Sequence, residues 1–93
     1  MKNNLLQYLV EFLGTFIFLS VIIITGNPLA IGLTLAAMVW FGGKVSGGHF
    51  NPAVNIMMLL DKKMSTLEFI GQTIAQVLGA ISAYIYYKSI NLK

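Results

Sequence analysis

A short helix that begins inside an otherwise membrane-spanning sequence most constrains how this chain can fold. Asn51 and Pro52 mark its start, because Asn is a preferred N-cap and Pro is favoured at the first helical position. The apolar run 52–60 then ends at the charged residues 61–63. Such a run reaches about 14 Å as a helix, half of a bilayer core of about 30 Å. The helix therefore starts near the membrane midplane, where it must face protein or a water-filled cavity.

Composition places the whole chain in the membrane class. Of its 93 residues, 57% are hydrophobic and 10% are charged, whereas a soluble domain carries about 25% charged residues. Membrane spans are predicted at about 5–25, 28–45 and 66–87, with a re-entrant loop and half-helix at about 46–60. The prediction is an integral, multi-pass, all-α protein with a single domain over residues 1–93. The first span is expected to remain as an anchor; its alternative is a cleaved signal peptide, although no Ala-x-Ala-like site closes it.

The few charged residues indicate membrane topology and give no sign of a nucleic-acid partner. If the loop and half-helix enter and leave the membrane on the same side, four lysines lie on one side and two on the other. The four are Lys2, Lys44, Lys62 and Lys63, and the two are Lys88 and Lys93. The positive-inside rule then favours an N-terminus in the cytoplasm. One histidine, no cysteine and three scattered acids assemble no metal site and no nucleophile–base pair. We expect neither an enzyme nor a bound cofactor.

Small residues predict close helix packing. On the third span they recur at every fourth position, as Gly71, Ala75, Gly79 and Ala83, a spacing that lets two helix backbones approach each other. Shorter versions of the pattern occur on the second span and around Gly14 on the first. We expect one such ladder to act within the chain and another between chains.

Asn51 is the strongest candidate for contact with a permeating solute. Its side-chain oxygen is expected to cap an amide at Ala53 or Val54, which leaves its NH2 donors for an adjoining cavity. The helix end adds about half a positive charge. Donors and positive potential together suit a neutral solute and disfavour a cation. The alternative is an ordinary helix cap.

The loop before Asn51 is predicted to be extended and to expose a series of carbonyl acceptors. It consists of Gly47, Gly48, His49 and Phe50. The single histidine is expected to form a local hydrogen bond. Glu11, inside the first span, is expected to accept hydrogen bonds from loop amides. The glutamines Gln72 and Gln76 could support the loop in the same way or bond across helices.

Three blocks of the sequence, residues 11–16, 46–55 and 75–80, resemble the first half of an aquaporin of the major intrinsic protein family. They read Glu-Phe-Leu-Gly-Thr-Phe, Ser-Gly-Gly-His-Phe-Asn-Pro-Ala-Val-Asn and Ala-Gln-Val-Leu-Gly-Ala. The resemblance covers essentially the whole chain. It implies three spans and one half-helix, and in the family two inverted halves bring two Asn-Pro-Ala motifs together at the midplane.

The resemblance also implies a passive channel for water and small neutral solutes such as glycerol. Because one half is present, we expect two copies to pair in opposite orientations, and eight chains would form the family's group of four pores. One alternative is obligate pairing with a different chain. Another is a non-conducting fragment or regulatory subunit that docks on full-length channels.

Two positions depart from the family in ways that bear on selectivity. Val54 follows Asn-Pro-Ala where the family's second half usually has an arginine, and Ile31 aligns with an aromatic residue of many members. A pair of these chains is therefore expected to have a more apolar path that passes glycerol. Asn55 also replaces a commoner threonine, and the sequence offers no account of its effect.

Overall fold

The computed structural model describes residues 4–90, which form four helices and, within that range, no strand. The helices are α1 (Asn4–Thr25), α2 (Pro28–Ser46), α3 (Pro52–Leu60) and α4 (Thr66–Ile90). α1, α2 and α4 are each long and apolar enough to cross a membrane. The predicted all-α membrane fold, with three spans and one half-length helix, is confirmed. α4 runs three residues beyond the expected span, since a helix can continue past the hydrocarbon layer.

The connections between helices follow the local signals in the sequence. Asn27 caps α2, and its side-chain oxygen accepts a hydrogen bond from the Ala30 amide at 2.9 Å. Ser65 and Glu68 form a reciprocal capping box at the start of α4, with N···O distances of 2.9 and 3.0 Å. These caps supply acceptors for amides that have no partner inside the helix.

α1 is the central helix and packs against α4 on one side and α2 on the other. Its contact with α4 depends on the small residues of α4. A Cβ atom added at Gly79 would lie 2.8 Å from the carbonyl oxygen of Phe12, and Ala75 and Ala83 are buried. The ladder on α4 therefore acts within the chain.

The small residues of α2 stay on an open surface. No atom lies within 4 Å of a Cβ atom added at Gly32, and Ala36 is exposed. The α2 ladder is therefore available for contact with another molecule.

The protein is polar inside and apolar outside. Its largest fully buried side chains are Gln72, Gln76, Glu11, Asn55 and Thr15. The outward side chains of α2, in contrast, include Leu29 and Trp40, which are 70% and 75% exposed. This distribution suits lipid, in which a polar group must find its partner within the protein.

α3 begins beside the middle of α4 and ends near the start of α4. Asn55, in the first turn of α3, bonds to Gln76, which lies about 15 Å along α4 from its start. Asn51 lies about 6 Å farther along, and the whole of α4 is about 37 Å long. Asn51 is therefore close to the midpoint of α4. The C-terminal end of α3 lies near the start of α1. Lys63, three residues after α3, and Gln7, in the first turn of α1, line the same cavity.

Candidate functional site

The loop between α2 and α3 turns tightly and is not extended. The backbone φ angles are 94° at Gly47, 66° at Gly48 and 51° at Phe50. Glycine adopts positive φ without a steric cost, whereas a phenylalanine there is strained. The extended loop predicted from the sequence is therefore wrong. Gly47 ends α2 as a left-handed cap, donating its amide to the Gly43 carbonyl, and this cap starts the turn.

Glu11 accepts four hydrogen bonds, two of them from backbone amides of the loop. Its Oε1 atom accepts from the Phe50 amide at 2.7 Å and from Gln76 Nε2 at 2.8 Å. Its Oε2 atom accepts from Ser46 Oγ at 2.6 Å and from the His49 amide at 3.1 Å. The carboxyl group is fully buried. The structure thus brings Glu11 and Gln76 together with the loop backbone.

The ring of Phe50 packs against two glycines, one on α1 and one on α2. Phe50 is 3% exposed. A Cβ atom added at Gly14 would lie 2.7 Å from Phe50 Cδ1, and one added at Gly42 would lie 3.0 Å from Phe50 Cζ. Gly14 therefore makes room for this ring, and the position of the ring accounts for the strained φ at Phe50.

Asn51 presents free donors at an exposed surface. Its Oδ1 atom accepts from the Ala53 amide at 2.8 Å, so the carboxamide has a fixed orientation. Its NH2 group has no hydrogen-bond partner among residues 4–90. Pro52 and Ala53 are also exposed, and Val54 is half-buried. Within the same described range, no carbonyl oxygen of residues 47–50 accepts a hydrogen bond, so these acceptors are also available.

Asn55 connects α3 to α4 and to the loop through hydrogen bonds, a role that the sequence did not predict. It is fully buried, and its Nδ2 atom donates to Gln76 Oε1 at 2.8 Å and to Thr73 Oγ1 at 3.0 Å. Its Oδ1 atom lies 2.8 Å from Nδ1 of His49. A signal was present in the sequence, because a second amide one turn after Asn51 faces inward on an apolar half-helix.

The structure does not bring Ile31 to the other candidate residues. Ile31 lies in the first turn of α2, whereas the loop follows the last turn. α2 and α3 make no contact within the described chain. Ile31 can therefore line a path with Val54 only if another chain brings them together.

A comparison with protein families matches residues 1–92 to the Major intrinsic protein family. The chain belongs to this family. Among curated members it is 46% identical to "Glycerol uptake facilitator protein-like 6" of Lactiplantibacillus plantarum, over 89% of this chain and 43% of the relative. It is 45% identical to "Aquaporin Z" of Brucella melitensis, over 62% of this chain and 25% of the relative. The chain thus spans less than half the length of these family members.

Proposed function

We propose that two copies of this chain, one inverted, form a passive channel for water and small neutral solutes such as glycerol. One observation carries the proposal: the NH2 group of Asn51 is exposed and unpartnered at the start of a half-length helix. The family relation supports a channel for water or small solutes, as the names of the two relatives indicate.

The chemistry of this position suits a neutral solute with an oxygen acceptor. The two N–H donors of Asn51 and the positive end of α3 attract a solute oxygen and repel a cation. The unpaired carbonyls of residues 47–50 provide acceptors on the approach to Asn51. A solute that both donates and accepts, such as water or an alcohol, can replace its lost hydration at each step.

A second copy supplies what one half-helix lacks. α3 covers about 14 Å of a layer of about 30 Å, so a second half-helix from the opposite side completes the path. Ile56 and Met57 on α3 are 51% and 55% exposed, which leaves an apolar surface for this contact. Four such pairs, as the family's grouping suggests, would require eight chains.

Osmotic shrinkage of vesicles that contain only this chain tests the proposal. The wild type should accelerate shrinkage, and Asn51→Asp should lower the flux of neutral solute and admit cations. Asn27→Asp is the matched control, because Asn27 is also an N-cap followed by a proline but lies outside the proposed path. Vesicles that shrink no faster than empty ones would overturn the proposal.

Lysine placement favours a second candidate, in which this chain pairs with a different one. Lys44 and Lys63 line the same cavity and therefore share one end of the bundle, while Lys88 lies in the last turn of α4, at the other. A positive bias of this kind favours a single orientation. Tags at both termini measure sidedness directly. If every chain has one orientation, the inverted homodimer is wrong and the mixed pair replaces it.

A further inference from the structure

Two chains of hydrogen bonds, each starting at a carboxyl group, end beside the same cavity. We propose that they present two fixed acceptors, His49 Nε2 and Gln72 Oε1, to a neutral hydroxyl-bearing ligand bound in this cavity. The proposal adds a binding site at the end of the bundle that carries Lys44 and Lys63, separate from the Asn51 donors. The identity of the ligand rests on the proposed function, whereas the orientation of the two acceptors does not.

The cavity has a volume of about 210 Å³. A water molecule in the liquid takes up about 30 Å³, so several waters or one small polyol would fit. Its lining includes Gln7, His49 and Gln72, with Lys44 and Lys63 at the same end. Gln72 is 2% exposed and its Oε1 atom has no hydrogen-bond partner within residues 4–90. A buried acceptor without a donor is costly, and since Gln72 lines the cavity, a small shift of its side chain would let Oε1 meet a ligand that donates.

The first chain of hydrogen bonds fixes the tautomer of His49. Backbone amides can only donate, so Glu11 must accept, and Gln76 turns its NH2 group toward it. The carbonyl oxygen of Gln76 then accepts from Asn55 Nδ2, which leaves Asn55 Oδ1 as an acceptor. That oxygen faces Nδ1 of His49 at 2.8 Å, so Nδ1 carries the proton.

The free nitrogen of His49 is therefore an acceptor. In a neutral imidazole with the proton on Nδ1, Nε2 holds a lone pair. Nε2 lies beside Gly47, since a Cβ atom added there would be 2.9 Å away, and both residues line the cavity. Nothing in the described part of the chain hydrogen-bonds to Nε2. This nitrogen forms the first of the two acceptors.

The second chain of hydrogen bonds fixes the orientation of Gln72. Gln7 Nε2 donates to Glu68 Oε2 at 3.2 Å, so the Gln7 oxygen faces the other way. Gln72 Nε2 donates to that oxygen at 2.8 Å and to the Ser46 carbonyl at 2.9 Å. Both donors of Gln72 are thus used, and its Oε1 atom remains as the second acceptor.

The chemistry of the cavity selects a neutral donor. Two acceptors require a ligand with hydroxyl or N–H groups, and the lining carries both signs of charge, Lys44 and Lys63 with Glu68, so it gives no strong preference for an ion of either sign. The same ammonium groups can donate to hydroxyl oxygens. Water and small polyols share this chemistry, and the test separates them.

The single histidine makes the tautomer directly measurable. With ¹⁵N-histidine in lipid, at a pH where the imidazole is neutral, NMR should show a protonated Nδ1 and an unprotonated Nε2. Asn55→Leu should remove this preference, and the matched variant Asn27→Leu, far from the network, should keep it. A protonated Nε2 in the wild type would overturn the proposal, as would loss of the preference in Asn27→Leu.

The ligand is tested on the same sample. Added glycerol should shift the Nε2 resonance, and Gln72→Met should lose most of that shift. Magnetisation transfer from water to Nε2, without a glycerol shift, would support the site with water as its ligand. If neither the glycerol shift nor the water transfer is observed, the site is wrong. If the chain conducts but Nε2 of His49 is protonated, this site is wrong and the proposed channel stands. If Nδ1 is protonated but the chain does not conduct, the proposed channel is wrong and this site stands.

Discussion

The substitution Glu11→Gln tests how the loop before Asn51 is held. It preserves the size of the side chain but converts one carboxyl oxygen into an NH2 donor. Each oxygen of Glu11 now accepts from one backbone amide, that of Phe50 at Oε1 and that of His49 at Oε2. A backbone amide cannot become an acceptor. The substitution must therefore leave one of these two amides without a partner.

The less costly arrangement places the new NH2 group at the Oε2 position. The Ser46 hydroxyl can then rotate to accept, and only the His49 amide loses its acceptor. The opposite arrangement leaves the buried Phe50 amide unpaired and also reverses Gln76, which breaks its bond with Asn55. A fully buried donor without an acceptor costs about 1–3 kcal/mol, and the part-buried His49 amide belongs at the lower end of that range. We expect the free energy of unfolding to fall by about this amount.

Titration with SDS from mild-detergent micelles, followed by circular dichroism, measures the change. The matched control is Asp61→Asn, because the Asp61 side chain is 62% exposed and pairs at 3.3 Å with Lys63, whose side chain is 69% exposed. This control should change the free energy of unfolding by no more than about 0.5 kcal/mol in either direction, as is usual at the surface. Equal shifts of the two midpoints would refute the assignment of Glu11 as the anchor of the loop.

Two further substitutions test the packing and the selectivity of the site. Gly14→Ala should lower the free energy of unfolding by about 1–3 kcal/mol, since its Cβ would lie 2.7 Å from Phe50 Cδ1. Gly32→Ala should be neutral or stabilising, because no atom lies within 4 Å of a Cβ atom added at Gly32. Equal SDS midpoints for the two variants would argue against overpacking at Gly14. Val54→Arg should slow glycerol more than water in vesicle assays, because a cation beside Asn-Pro-Ala narrows the path. An unchanged ratio of the two rates would count against a path along Val54.

Local sequence signals predicted the helices well because they act over one turn. Asn51 caps α3 through the Ala53 amide, and Ser65 with Glu68 caps α4, as the residue types indicate. The length of α3 followed from the charged residues that end it. Each of these features depends on neighbours within four residues, so one sequence is enough to find them.

The interior of the site depends on residues far apart in the chain, and the sequence predicted it less well. Phe50 adopts positive φ because Glu11 and Gly14 fix its amide and its ring, and no local signal indicates this. Asn55 acquires its role only from its contacts with Gln76 and His49. Helix periodicity can show that such an amide faces inward, but it cannot show which atoms it meets.

The hydrogen bonds of the loop and the exposed surface at Asn51 are separate features of this chain. The side chains of Glu11 and Gln76 secure the loop from within the same chain, so no partner is needed to shape it. The NH2 group of Asn51 remains unpartnered near the middle of the membrane, and an unsatisfied donor there costs several kcal/mol in lipid. Water or a second chain at this surface removes that cost. In the proposed pair, burial of the apolar side of α3 would drive association and a water-filled path would solvate Asn51, while the loop keeps its conformation in the unpaired chain.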